Sequence, residues 1–442
     1  VRVCYHYEDD VPVARCTRDG KGSSGSGGTT GGSQVRWKYY TPANSRYGYN
    51  GASKGVDSQG NEYTIFDYSL DDEGNATITK YQGNVSALSI PDTLDGYKVV
   101  GIGNSVFQNK TQLRVVTIPD SVTSIGYSAF EGCSNLSSVT LSKNLTEIGG
   151  NAFGNCGALT NIEIPKSLER VRTNGYGVFK DCDNLKNITF EKGTTRIVNN
   201  LFSYCPGIEQ MEIPDTVTEI QNNAFDGCKN LRSIKIPDSV TSIGAYAFSG
   251  CTALTEIVIP DSVTSIGYYA FGNCSNLSGV TLSKGVTEIG EIAFGNCGAL
   301  TNIEIPKSLE RVRTNGYGVF KDCDNLKNIT FEKGTTRIVN NLFSYCPGIE
   351  QMEIPDTVTE IQNNAFDGCK NLRSIKIPDS VTSIGAYAFS GCTALTEALI
   401  PNSVSSMGIY MFDGCTSLQK VTLPDTRVNI TEGIFRGCSS LK

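Results

Sequence analysis

A single phenylalanine recurs at positions 107, 130, 153, 179, 202, 225, 248, 271, 294, 320, 343, 366, 389, 412 and 435. The step is 23 residues, except for two steps of 26, so the chain writes about fifteen rungs of one unit. Around Phe248 the unit reads Ile236-Pro237-Asp238-Ser239-Val240-Thr241-Ser242-Ile243-Gly244, then Ala247-Phe248, Cys251 and Leu254. A period of this length leaves little choice of architecture. Each unit is too small to bury its own apolar face, and stacked neighbours bury it for one another. That is also how 442 residues escape the limit on a single compact core.

Within a rung the apolar positions are Leu231, Ile234, Ile236, Val240, Ile243, Ala247, Phe248 and Cys251. Ile234-x-Ile236 has period two and reads as a short strand. Pro237 lacks an N–H and should end it. Val240 to Ile243 reads as a second extended piece, Gly244 as a tight turn, and Ala247-Phe248 as the start of a helical turn. The fold class is therefore an α/β-type repeat solenoid, mostly short parallel β-strands, with stacked phenylalanines in its core. Each ring contributes about 1.5–3 kcal/mol of burial.

Fourteen of the sixteen cysteines, Cys133 to Cys438, stand three residues after a repeat phenylalanine. One reading is a buried column of small apolar thiols. The other is disulfides or a metal site. Same-position side chains point in parallel, which suits a disulfide poorly. There is no C-x-x-C pair, and the single histidine, His6, is remote. Buried thiols are the expectation, with no cofactor and no metal.

The formal charge of −7 leaves no basic surplus for nucleic acid or for anionic membranes. No apolar run approaches the ~20 residues of a membrane helix. The rungs contain no histidine, so no Ser-His or Cys-His pair can form there, and the chain is not expected to be an enzyme.

Residues 1–19 read as a β-hairpin, or the tail of an upstream domain, with Cys4 and Cys16 expected to close it as a disulfide. Residues 20–61 hold a Gly/Ser-rich linker and a Tyr-rich segment with no assignable fold. Residues 62–106 read as an N-terminal cap and first rung. Two strands there, Tyr63-Phe66 and Ala76-Thr79, flank a turn at Asp71-Asp72-Glu73-Gly74-Asn75. That acidic turn lacks the spacing of an EF-hand loop. The solenoid then runs over 107–442. A chain that starts at Val1 without methionine, and stops uncapped in mid-rung at Lys442, is expected to be a trimmed piece of a longer protein.

The motif Ile-Pro-Asp-Ser-Val-Thr-Ser-Ile-Gly-x-x-Ala-Phe-x-x-Cys-x-x-Leu resembles the BspA-like leucine-rich repeat, or Treponema pallidum type, over about 62–442. The Phe107 rung departs from it, with Lys110 in the cysteine's place. The resemblance implies a right-handed curved array with a β-sheet on its concave face. It also implies an extracellular or cell-surface location, and an adhesin that binds host extracellular or partner-cell proteins. It carries over no catalytic residues.

Residues 152–256 recur unchanged at 293–397, six rungs later, and arrays that grow by block copying favour multivalent display. Both 26-residue rungs lie in the copies. Their insertions offer Arg170, Arg172 and Tyr176, and again Arg311, Arg313 and Tyr317, residue types enriched at binding hot spots. The harmless edge loop is the alternative. The first strand of each rung exposes the two side chains that flank its buried isoleucine. Among these are Asn161 and Glu163, Gln210 and Glu212, Asn302 and Glu304, and Gln351 and Glu353. They are expected to form a polar, mildly acidic strip. The candidate protein-binding positions are these eight and the six insertion residues. A structural spacer, or a non-catalytic part of an extracellular assembly, is the competing function. The oligomeric state is left open.

Overall fold

A computed structural model describes residues 2–8, 11–17, 36–38, 50–56, 62–173, 175–425 and 430–442, with side chains from residue 65 onward. It contains two compact units, one of residues 1–194 with 204–208, the other of residues 195–203 with 209–442.

In the first unit, Arg2–Glu8 pairs antiparallel with Val11–Thr17. The backbone register sets Val3 against Cys16 and Cys4 against Arg15. The side chains of Cys4 and Cys16, and so the expected disulfide, lie outside the described residues. The segment 20–61 supplies Arg36–Lys38 and Asn50–Val56, which extend an antiparallel sheet with Glu62–Leu70 and Ala76–Tyr81. The turn between the last two is held by Asp71, whose Oδ1 accepts from the amides of Glu73 at 3.1 Å and Asn75 at 2.7 Å. These bonds, led by the one from Asn75, hold the Asp71 carboxyl below its usual range. Ala76–Tyr81 then pairs in parallel with Tyr97–Ile102, and the same sheet continues through Ser124–Ile125, Glu147–Gly149 and Arg170–Arg172. The antiparallel cap thus passes directly into the parallel rungs.

In the second unit a rung holds two strands, the last rung showing only its first, Lys420–Thr422, among the described residues. The first strand is Ser233–Lys235 in the Phe248 rung, and it ends before Pro237, whose carbonyl closes a turn with the Val240 amide at 3.0 Å. The second is Ser242–Ile243. First strands join only in twos, such as Asn302–Ile305 with Asn328–Phe331. Second strands form longer ladders, one of six strands ending at Arg311–Arg313 and one of four starting at Arg337–Ile338. The break between them falls beside a three-residue insertion.

No helix occurs among the described residues, which corrects the expected helical turn. The reason lies two residues either side of the phenylalanine in most rungs, Phe179 and Phe320 being the exceptions on the N-terminal side. Around Phe248, Tyr246 has φ 56° and Gly250 has φ 66°. Left-handed residues at both positions interrupt any right-handed helix. They also align the N–H groups. Those of Tyr246, Phe248 and Gly250 donate to the carbonyls of Tyr268, Ala270 and Gly272, at 2.7–2.8 Å. The turn edge is therefore a third rung-to-rung ladder. Gly244 is needed for close approach rather than for a turn, because a Cβ there would meet the Asn222 amide nitrogen at 2.6 Å.

The core is the expected ring stack. Phe107 and Phe130 lie 4.6 Å apart in the first unit, and Phe248 and Phe271 lie 5.1 Å apart in the second. Beside it runs the cysteine column. Cys251 Sγ donates to the Phe225 carbonyl at 3.3 Å, and Cys133 Sγ to that of Phe107 at 3.1 Å. Burial pushes the Cys133 thiol up to about 11 and that of Cys274 up to about 12. Such thiols are structural, being far from the thiolate form that reacts.

Candidate functional site

The first-strand face comes from period-two geometry. The middle residue of each strand enters the core and its two neighbours face outward. Asn161 and Glu163, in the first unit, are exposed around buried Ile162. In the second unit Gln210 and Glu212 are exposed around Met211, Asn302 and Glu304 around Ile303, and Gln351 and Glu353 around Met352. Pairing lines them up in columns, with Asn302 against Asn328 and Glu304 against Thr330.

Within the polar, mildly acidic strip the carboxylates differ in their neighbours, and Glu212 shows how. Its strand, Gln210–Glu212, pairs only with Ser233–Lys235, and the register sets Glu212 against Lys235. Glu353 stands against Lys376 in the same way. A lysine in register offsets each of these carboxylates, so Glu212 and Glu353 add no net negative charge to the face. Glu163 and Glu304 face threonines instead, Thr189 and Thr330, and keep theirs.

A trough of about 370 Å³ opens on this face in the second unit. Its floor is Val280 and Ile303, and its polar wall includes Asn302, Glu304, Asn328 and Thr330, with Lys284 and Glu332 at one end. It lies where Gly279–Thr281 and Asn302–Ile305 do not pair. Of the candidate positions it gathers Asn302 and Glu304, and its lining includes neither Gln210 and Glu212 nor Gln351 and Glu353. Glu332 is already engaged. It accepts the Lys307 amide at 3.1 Å and pairs with the Lys307 ammonium at 3.2 Å. Those contacts, the amide bond first, hold its carboxyl below the usual range. Glu304 has no hydrogen-bond or ion-pair partner among the described residues, and neither does Glu163. Part of the lining recurs residue for residue in the first unit, at Lys143, Asn161, Glu163, Asn187, Thr189 and Glu191. There Glu191 takes the Lys166 amide at 3.1 Å in the same manner.

The structure divides the insertion residues between two places. Arg170 and Arg172 lie on the second-strand face, and both pair with Glu147 one rung earlier. Arg311 and Arg313 both pair with Glu288. Tyr176 and Tyr317 stand on the turn edge instead, each 44% exposed. The ammonium of Lys180 sits 5.2 Å from the Tyr176 ring centre, and that of Lys321 is equally far from Tyr317.

Three features escaped sequence reading. Glu147 and Glu288 are buried carboxylates, and the 23-residue spacing to Arg170 and Arg311 was the available signal. Glu291 is buried too, and accepts the amides of Asn315 at 2.8 Å and Tyr317 at 3.1 Å. Tyrosines line the turn edge. Tyr246 contacts Tyr268 and Tyr269, and Tyr387 stacks on Tyr410 at 5.1 Å. Their signal was a bulky residue two places before the repeat phenylalanine. The arrangement offers donors, acceptors and charges on a rigid frame. Among the described residues no group of three or more metal-ligating side chains comes together.

A family model described as BspA type leucine rich repeat region, in six copies, matches residues 100–228, 195–318 and 313–442. A leucine-rich repeat protein from Bacteroides ovatus is 29% identical, over 86% of this chain and 92% of its own, with a TM-score of 0.62. A leucine rich cell surface protein from Faecalibacterium prausnitzii is 31% identical, over 78% of this chain and 92% of its own, with a TM-score of 0.41. The T. pallidum leucine rich repeat protein is 29% identical, over 48% and 88%, with a TM-score of 0.36. Comparison with curated proteins gives no significant match.

Proposed function

This chain belongs to the BspA-type leucine-rich repeat family, and we propose that it is a cell-surface or secreted adhesin whose first-strand face binds host or partner-cell proteins. One observation carries the reading. Asn161 with Glu163, and Asn302 with Glu304, are exposed, held by strands that cannot reorient, and the two carboxylates have no partner among the described residues. Side chains already fixed in place lose less entropy on binding, so polar contacts of ordinary strength suffice. The buried thiol column suits an extracellular setting, because thiols held so far above neutrality resist oxidation. No catalytic role is proposed.

The test immobilises the full chain and presents extracellular-matrix proteins and intact partner bacteria. Saturable capture is expected. It should weaken about tenfold when Glu163→Gln and Glu304→Gln are combined, since each removes a charge-assisted bond. Deleting one 141-residue block should remove one trough and part of the avidity. Absence of saturable capture by the unaltered chain would sink the reading and favour the spacer.

A further inference from the structure

We propose that the strand Arg311–Arg313, with its counterpart Arg170–Arg172, docks an acidic extended segment of a partner protein. The inference shares the protein-binding reading but uses the other strand set, so the two can fail separately.

Arg311 and Arg313 alternate with buried Val312, so both side chains leave the same face of the strand. Both reach back one rung to a single carboxylate, Arg311 to Oε2 of Glu288 and Arg313 to Oε1. Glu288 is only 8% exposed, while the two arginine side chains are 65% and 70% exposed. One negative charge thus anchors two positive ones. The surplus of one positive charge is pre-positioned on a chain whose net charge is −7. A guanidinium carries five N–H donors, and Glu288 takes only the Nε and one terminal nitrogen of Arg311. The outward N–H groups remain for a second carboxylate, in the bidentate geometry arginine favours.

The strand is also the last of its six-stranded ladder, so no further strand covers its outer edge among the described residues. In the next ladder Arg337 is exposed, and the register sets Glu360 against it. A second buried acid, Glu291, is turned to the amides of Asn315 and Tyr317. The first unit repeats the device. Arg170 and Arg172 hold Glu147, with side chains 62% and 58% exposed, on the strand that ends their sheet.

The spacing selects the occupant. Two guanidiniums two residues apart on a strand are separated by about 7 Å. Alternate side chains of another extended segment have the same repeat, so carboxylates at every second position meet both arginines. A sulfated polysaccharide shares the charge but not this matched repeat, and it is the rival to be tested.

The probe is a fluorescein-labelled peptide of alternating glutamate and threonine, titrated against the full chain by fluorescence anisotropy. We expect two equivalents bound per chain, weakening as salt rises. Arg313→Ala should remove one equivalent, and Arg172→Ala with Arg313→Ala should remove both, with affinity down about tenfold or more. Each variant leaves Arg311 or Arg170 on its glutamate, and far-UV circular dichroism confirms that the sheet survives. Arg313→Lys, which keeps the charge without the fork, should bind weakly at that site. The proposal is overturned if the unaltered chain ignores the peptide, if the double variant binds it equally well, or if heparin binds where the peptide does not. Capture of a protein ligand that the double arginine variant leaves unchanged would overturn this site alone and leave the first-strand reading intact.

Discussion

The two 26-residue rungs carry the same inserted sequence, Arg172 to Gly177 in one unit and Arg313 to Gly318 in the other, yet they meet different residues in the preceding rung. Some bonds are shared. Thr173 Oγ1 donates to the Tyr176 carbonyl at 2.8 Å and accepts the Gly175 amide at 2.9 Å, and Thr314 does the same at 2.7 and 2.8 Å. The difference comes from the preceding rung, just outside the duplicated block. There the second unit has Glu291-Ile292 and the first has Gly150-Asn151. The Glu291 carboxylate receives two loop amides. Gly150 has no side chain to offer, and a Cβ on it would meet the Tyr176 carbonyl oxygen at 2.8 Å. Identical sequence therefore meets a carboxylate in one unit and a glycine in the other, because the residue that differs sits 24 positions before the amide it holds.

The comparison is easiest to break in the core, where the copies should not differ at all. Phe153 and Phe294 are both fully buried. Phe153→Ala and Phe294→Ala should each cost about 3–5 kcal/mol, read as equal downward shifts of the urea midpoint. Unequal shifts would mean that the copies differ beyond their loops. The loops themselves give a smaller and one-sided effect. Glu291→Gly leaves two part-buried loop amides without their carboxylate acceptor and should cost about 0.5–1.5 kcal/mol. Hydrogen exchange should accelerate at Asn315 and Tyr317, with no change over residues 172–177. Equal acceleration in both loops would show that Glu291 does not act locally.

The smallest effect should again be common to both copies. Glu191 and Glu332 have carboxyls held below their ordinary value of 4.5, chiefly by the amides of Lys166 and Lys307. A carboxyl depressed in the folded state contributes stability that is full above its unfolded value and is lost as pH falls through the folded one. Acidification below about 4.5 should loosen both clasps over the same interval. Carboxyl titration by NMR would detect it, and a loosening confined to one copy would contradict their equivalence.

Legibility in the sequence followed the reach of each interaction. Phe248, Cys251, Ile234 and Ile243 were placed correctly in the core, since burial with a strict period is visible along the chain. The outward positions Asn302 and Glu304 followed from strand alternation alone. Alternation placed Glu212 and Lys235 outward as well, but the register that sets one against the other is a property of the paired strands. The helical turn at Ala247-Phe248 did not survive, because Tyr246 adopts a left-handed conformation that its side chain does not announce. Gly250 was the clue on the other side, and Asn155, Asp181 and Asn273 hold the same place in other rungs. Arg170 and Arg172 were read as residue types suited to binding, and their pairing with Glu147 from one rung away was not legible.

The sequence by itself determined the repeat, the family and the recurring apolar core positions, because the same apolar residue must return wherever one rung stacks on the next. Tertiary structure alone decided which polar groups are committed and which are left for a partner. Glu288 and Glu304 are both glutamates on short strands, but one is buried beneath two guanidiniums and the other faces the open trough. That distinction depends on side chains from a neighbouring rung reaching a common point, and no local pattern encodes where those side chains end.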